Sequence, residues 1–131
     1  MYNVRDLNIS HCPHISDVSR LTAVQHLNLS HCRRIVNVSP LGQSQRLNLS
    51  HCAALEDVSA LGNVTELDLS YCPKVKDVSA LRNVRVLNLS YCRRVEDVSQ
   101  LGRVVELNLT HCTSVKDISR LGRYGSVVNM E

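Results

Sequence analysis

The sequence predicts a repeat solenoid, with parallel strands stacked along one face and short turns closing each coil behind them. Two observations carry this. Leu7, Leu27, Leu47, Leu67, Leu87 and Leu107 fall at a strict spacing of twenty, as do Cys12, Cys32, Cys52, Cys72, Cys92 and Cys112. Within each copy the apolar period then changes from two, around the leucines, to three after the cysteine. A repeat of this length marks stacked units, because each unit can bury its apolar face only against its neighbours.

Each element follows from one copy. From Val84 to Arg103 the chain reads V-R-V-L-N-L-S-Y-C-R-R-V-E-D-V-S-Q-L-G-R, with apolar residues at Val84, Leu87, Leu89, Cys92, Val95, Val98 and Leu101. Alternation around Leu87 and Leu89 is the strand period. The later spacing of three, with no run long enough for an α-helix, predicts a chain of turns containing a 3-10 piece. Every coil runs the same way, so the strands are expected to be parallel and about 4.8 Å apart. There is no Trp and no Phe, so the core is expected to be aliphatic.

Residues 1–131 read as a single repeat domain, with six full twenty-residue copies from residue 4 and a partial seventh over residues 124–131. In the seventh copy Val127 and Val128 are expected to supply a last strand. No cap is evident at either end, so neighbouring segments are missing or the ends associate; weak, concentration-dependent self-association is the expectation.

The motif L-x-x-L-x-L-x-x-C-x-x-V resembles the leucine-rich repeat, whose usual form is L-x-x-L-x-L-x-x-N/C-x-L. Cys takes the usual Asn position in all six copies, as in the cysteine-containing subclass. The segments Asp57 to Leu61 and Asp97 to Leu101 resemble the D-I-S-P-L segment of internalin-type repeats. Leucine-rich-repeat proteins of trypanosomes, some described as adenylate cyclase regulators, combine the two elements in a similar way. The resemblance implies a parallel sheet on a concave face, short turns or 3-10 segments on the convex side, and a surface that holds a protein partner. A short return path should also flatten the arc. A second function implied by the resemblance alone is a regulatory subunit or fragment acting on an enzyme, of the adenylate cyclase or ubiquitin ligase type.

Repetition sorts the positions. A column identical in every copy answers the geometry of the coil, whereas one that changes is free or carries specificity. The cysteine column is invariant. Metal or redox chemistry is one reading, but C-x19-C is no zinc spacing and no C-x-x-C occurs. A buried thiol donating weakly to a carbonyl at the strand-to-turn corner is the other. Asp17, Asn37, Asp57, Asp77, Asp97 and Asp117 form a column with Ser two residues on, from Ser19 to Ser119. Turn chemistry explains it better than a calcium site, because Asn37 replaces a carboxylate without compensation.

The Asn column (Asn8, Asn28, Asn48, Asp68, Asn88, Asn108) lies between two inward residues of each strand and is expected on the concave face, with amides bonded along a ladder. The Ser column from Ser10 to Ser90, with Thr110, is expected to share that face. His11, His31, His51, Tyr71, Tyr91 and His111 are expected to protrude at the C-terminal rim of the strands, as partner contacts, as a solvated ladder or as a metal site. The least regular concave row is Asp6, His26, Arg46, Glu66, Val86 and Glu106, whose charge changes sign repeatedly. The candidate partner-binding residues are therefore His26, Arg46, Glu66, Val86 and Glu106 with the six rim rings. The pairs Arg33-Arg34 and Arg93-Arg94, with Lys74, lie at the cysteine edge.

Composition narrows the classes. Net charge is +3, too evenly mixed for nucleic acid, and no apolar run approaches the ~20 residues of a membrane helix. Ser, His and Asp recur as ladders rather than converging, and no Gly-rich phosphate loop occurs, so no enzyme, no metal and no cofactor is expected. Of seven N-x-S/T sequons, five lie mid-strand, where glycans would collide, and the six thiols look unpaired. Both point to an intracellular, reducing compartment.

Overall fold

The computed structural model describes residues 4–122 and 127–130. Three-residue strands are centred on the first leucine of each copy, and a last one on Val128: β1 Asp6–Asn8, β2 His26–Asn28, β3 Arg46–Asn48, β4 Glu66–Asp68, β5 Val86–Asn88, β6 Glu106–Asn108 and β7 Val127–Asn129. They make one parallel sheet in chain order. From β1 to β6 the register is the repeat itself, Leu7 opposite Leu27 and Leu27 opposite Leu47. The step to β7 is one residue longer, with Leu107 opposite Val128. Tyr124 and Glu131, at the ends of the seventh copy, lie outside the described residues.

Consecutive three-residue turns account for the apolar period of three. In the second coil the Ile35 N–H donates to Cys32 O (3.4 Å), Leu41 to Val38 O (2.9 Å) and Ser44 to Leu41 O (3.1 Å). The middle coils tighten into 3-10 turns at Ser39–Leu41, Ser59–Leu61, Ser79–Leu81 and Ser99–Leu101. Ahead of each, the Asp or Asn side chain accepts the Ser N–H, as in Asp57 to Ser59 at 2.9 Å and Asn37 to Ser39 at 3.0 Å. That bond needs an acceptor oxygen and no charge, which is why Asn37 serves.

Inside lies one continuous aliphatic core. Leu29, Ile35, Leu41, Leu49, Leu55 and Leu61 are fully buried, each worth about 1.5–3 kcal/mol relative to exposure. In the first coil Leu7, Ile9, Cys12, Ile15 and Leu21 pack against the core but are only half-buried. The cysteines tie coil to coil. The thiol of Cys52 donates to Leu29 O (3.4 Å), Cys72 to Leu49 O (3.1 Å) and Cys92 to Leu69 O (3.0 Å), each reaching back twenty-three residues. This is the corner role expected of an invariant small thiol. Burial pushes Cys52 and Cys92 up to about 12 and raises Cys72 as well, so these thiols stay protonated and inert at neutral pH.

Candidate binding surface

The sheet displays the variable row along its solvent face. Strand register sets Asp6 opposite His26 and Arg46 opposite Glu66; the first pair is joined by a hydrogen bond between His26 Nδ1 and the Asp6 carboxylate, and the second is an ion pair across neighbouring strands. The other His26 nitrogen, Nε2, lies 3.1 Å from Gln45 Oε1. Val86 faces Glu106 from β5 to β6. Asp6, His26, Arg46, Glu66, Val86 and Asn88 border an open groove of about 630 Å³. Sign changes along the row are thus not noise: two of them are cross-strand pairs that hold the side chains in place.

Two expectations about the polar columns change. The Asn side chains do not link neighbouring strands. Each accepts from its own chain two residues on, as Asn28 Oδ1 does from the Ser30 N–H (2.9 Å) and Asp68 Oδ1 from Ser70 (2.9 Å). This local bond turns the chain at the strand end. Ser30, Ser50, Ser70 and Ser90 are buried rather than displayed on the sheet, because that turn directs them into the corner.

The turn also produces the rim. His11, His31, His51, Tyr71, Tyr91 and His111 all have φ between 57° and 62°. Their rings stack in one column, with centroids 4.1 Å apart from His11 to His51, 4.3 Å from His51 to Tyr91, and 4.6 Å from Tyr91 to His111. Burial, and then the charges of His51 and His11, hold the His31 pKa below its usual 6.5. Burial and the neighbouring Tyr91 hydroxyl raise that of Tyr71. The planes of His11, His31 and His51 lie within 10–12° of one another. Their nitrogens therefore run side by side and do not converge on a point. Among the described residues no group of three or more His, Cys, Asp or Glu could hold a metal ion.

Sequence reasoning passed over a second variable row. Arg5, Gln25, Gln45, Thr65, Arg85 and Val105 stand just before the strands and hold four residue types in six copies. Several of them share a cleft of about 560 Å³ with His26, Arg46, Glu66 and Glu106, and Val105 is 44% exposed. Their variation was the available signal. Ser44 was also missed: it replaces Val in a core column and stays buried because its hydroxyl donates to Val24 O (2.9 Å).

No protein-family model matches the chain, and no curated protein does. Solved structures do. Internalin C2 from Listeria monocytogenes str. 4b F2365 superposes with a TM-score of 0.58 at 20% identity, covering 89% of this chain and 67% of that one. A functional domain of InlJ from Listeria monocytogenes, which includes a cysteine ladder, aligns with a TM-score of 0.36 at 16% identity over 88% of this chain and 41% of that one. The fold is that of a leucine-rich-repeat solenoid, with its parallel sheet on one face and short 3-10 turns on the other. Among the described residues no helix is long and apolar enough to cross a membrane.

Proposed function

We propose that the chain is a protein-interaction module that presents its sheet face, and the adjoining ring column, to a protein partner. Its fold is shared with an internalin, and that likeness supports an interaction scaffold in general terms. The observation that carries the reading is the pre-paired row. Asp6–His26 and Arg46–Glu66 already hold each other on a hydrogen-bonded sheet, so a partner orders few side chains on binding. Val86 and the rim rings, of which His31, His51 and Tyr91 are half-buried, add apolar area beside them. No observation favours an enzyme regulator over a passive scaffold.

The test exchanges charge without breaking the pair. In the double variant Arg46→Glu, Glu66→Arg the cross-strand bond survives while the field it presents is inverted. The melting temperature should hold within a few degrees, and proteins retained by the parent chain on an affinity column should be lost. Unchanged retention would reject this face.

A further inference from the structure

Two columns on the sheet face each break once, and the breaks adjoin. The amide column holds Asn in every copy except at Asp68. The variable row is polar or charged in every copy except at Val86. Asp68 lies on β4 and Val86 on β5, and both border the open groove of about 630 Å³. Register sets Glu66 opposite Val86 and Asp68 opposite Asn88, so Asp68 and Val86 are diagonal neighbours on the solvent face.

Asp68 has a structural duty that needs no charge. Its Oδ1 accepts the Ser70 N–H at 2.9 Å and the Ser70 hydroxyl at 2.7 Å. Asn28 holds the Ser30 N–H equally well, at 2.9 Å. The negative charge is therefore surplus to the turn. Among the described residues no cation pairs with it: Arg46 is taken by Glu66, and the strand neighbours of Asp68 are the amides of Asn48 and Asn88. Those amides accept through Oδ1 from Ser50 and Ser90, and their Nδ2 groups donate to nothing among the described residues. The groove as a whole has the same sign. Three carboxylates and one arginine border it, so it is negative whether or not His26 is protonated, on a chain whose net charge is +3.

Resting on the interaction face argued above, we propose that the groove receives an extended segment of a partner protein that carries a lysine or arginine, and that Asp68 selects it. A basic side chain meets both departures at once: its methylene stem covers Val86 while its charged head reaches Asp68 Oδ2. The Nδ2 groups of Asn48 and Asn88 flank that contact and suit main-chain carbonyls of the same segment. A metal ion would use the charge and gain nothing from Val86, and among the described residues no group of three or more His, Cys, Asp or Glu could hold one.

The probe is a phage-displayed library of random peptides, panned on the immobilised full chain. Selected peptides should be rich in Lys or Arg, and synthetic copies should bind saturably in fluorescence anisotropy, more weakly as salt rises. Asp68→Asn gives the column its usual residue and keeps the bond to Ser70, so melting should not change while affinity falls about tenfold. Replacing the basic residue of the peptide by Gln should cost as much on the parent chain and little more on Asp68→Asn, because both changes remove one contact. Asp57→Asn, which removes an equal charge on the turn side, should leave binding unchanged; an equal loss there would assign the effect to net charge and overturn the proposal. Peptides that lose binding when Arg46 and Glu66 are exchanged, yet carry no basic residue or tolerate Asp68→Asn, would also overturn it and leave the interaction face standing. So would spermine that binds through Asp68 where no peptide does. If no peptide sensitive to the Arg46 and Glu66 exchange is selected, the interaction face falls together with the basic segment.

Discussion

Tyr71 has φ 59°, a region that costs an L-residue with a Cβ about 1–2 kcal/mol. Its ring stacks at 4.3 Å on both His51 and Tyr91, and each such contact is worth about 0.5–1.5 kcal/mol. The two effects are of similar size, so the ring column offsets the strain of the backbone that builds it. Only the column of rings was legible beforehand. Left-handed positions are usually signalled by Gly or Asn, and here they hold His and Tyr, so the sequence showed a ring column without showing that the chain turns under it. The account is checked by two substitutions at one position. Tyr71→Ala keeps the strained φ and loses the stack; Tyr71→Gly loses both. Chemical denaturation should find the Gly variant more stable than the Ala variant by about 1 kcal/mol, the reverse of their usual order in regular structure. An Ala variant equal to or better than Gly would remove strain from the explanation.

At the scale of the element, the strand and the turn were readable because their apolar periods differ. L-x-L gives alternation, and the later spacing of three matches successive i to i+3 hydrogen bonds, as between Val38 and Leu41. The close approach of one coil's turn to the next was less visible, since a glycine column in a turn-rich stretch reads as ordinary turn composition. The structure supplies the reason: a Cβ on Gly62 would meet the Ala80 carbonyl oxygen at 2.6 Å, and backbone gives way only if the coils spread. Gly62→Ala should therefore destabilise by about 1–3 kcal/mol, although alanine is normally the better residue at φ −63°. An increase in melting temperature would mean that the coils separate freely. The slipped register at β7, where Val128 rather than Val127 opposes Leu107, was likewise hidden. Two adjacent valines satisfy the strand pattern in either phase, and the ladder bonds from the Val127 N–H to Val105 O and from the Leu109 N–H to Asn129 O choose between them.

Across the whole molecule the ladders make acid stability a property of columns. His31 resists protonation because its half-buried ring is partly desolvated and flanked by His51 and His11, so its folded pKa lies below the unfolded value of 6.5. As pH falls through that window, the unfolded chain takes up a proton that the folded chain resists, and stability declines. The turn carboxylates come next. Hydrogen bonds from the side chain or backbone of the following Ser hold Asp17, Asp57, Asp77, Asp97 and Asp117 below their usual 3.8. Their contribution is present above that value and is lost as pH falls through the lowered folded pKa. Because each coil repeats the same bond, these losses add along the stack. Melting temperature should thus decline once between about pH 7 and pH 5 and again, more steeply, below about pH 4. Asn suits a left-handed φ, so His31→Asn should remove the first decline and spare the second. Asp57→Asn copies what Asn37 already does in its own coil, keeping the bond to the Ser N–H without a charge, and should soften only the second. A first decline that survives His31→Asn would place the sensitive group elsewhere. A second decline unchanged by Asp57→Asn would mean that the turn carboxylates do not carry the acid response.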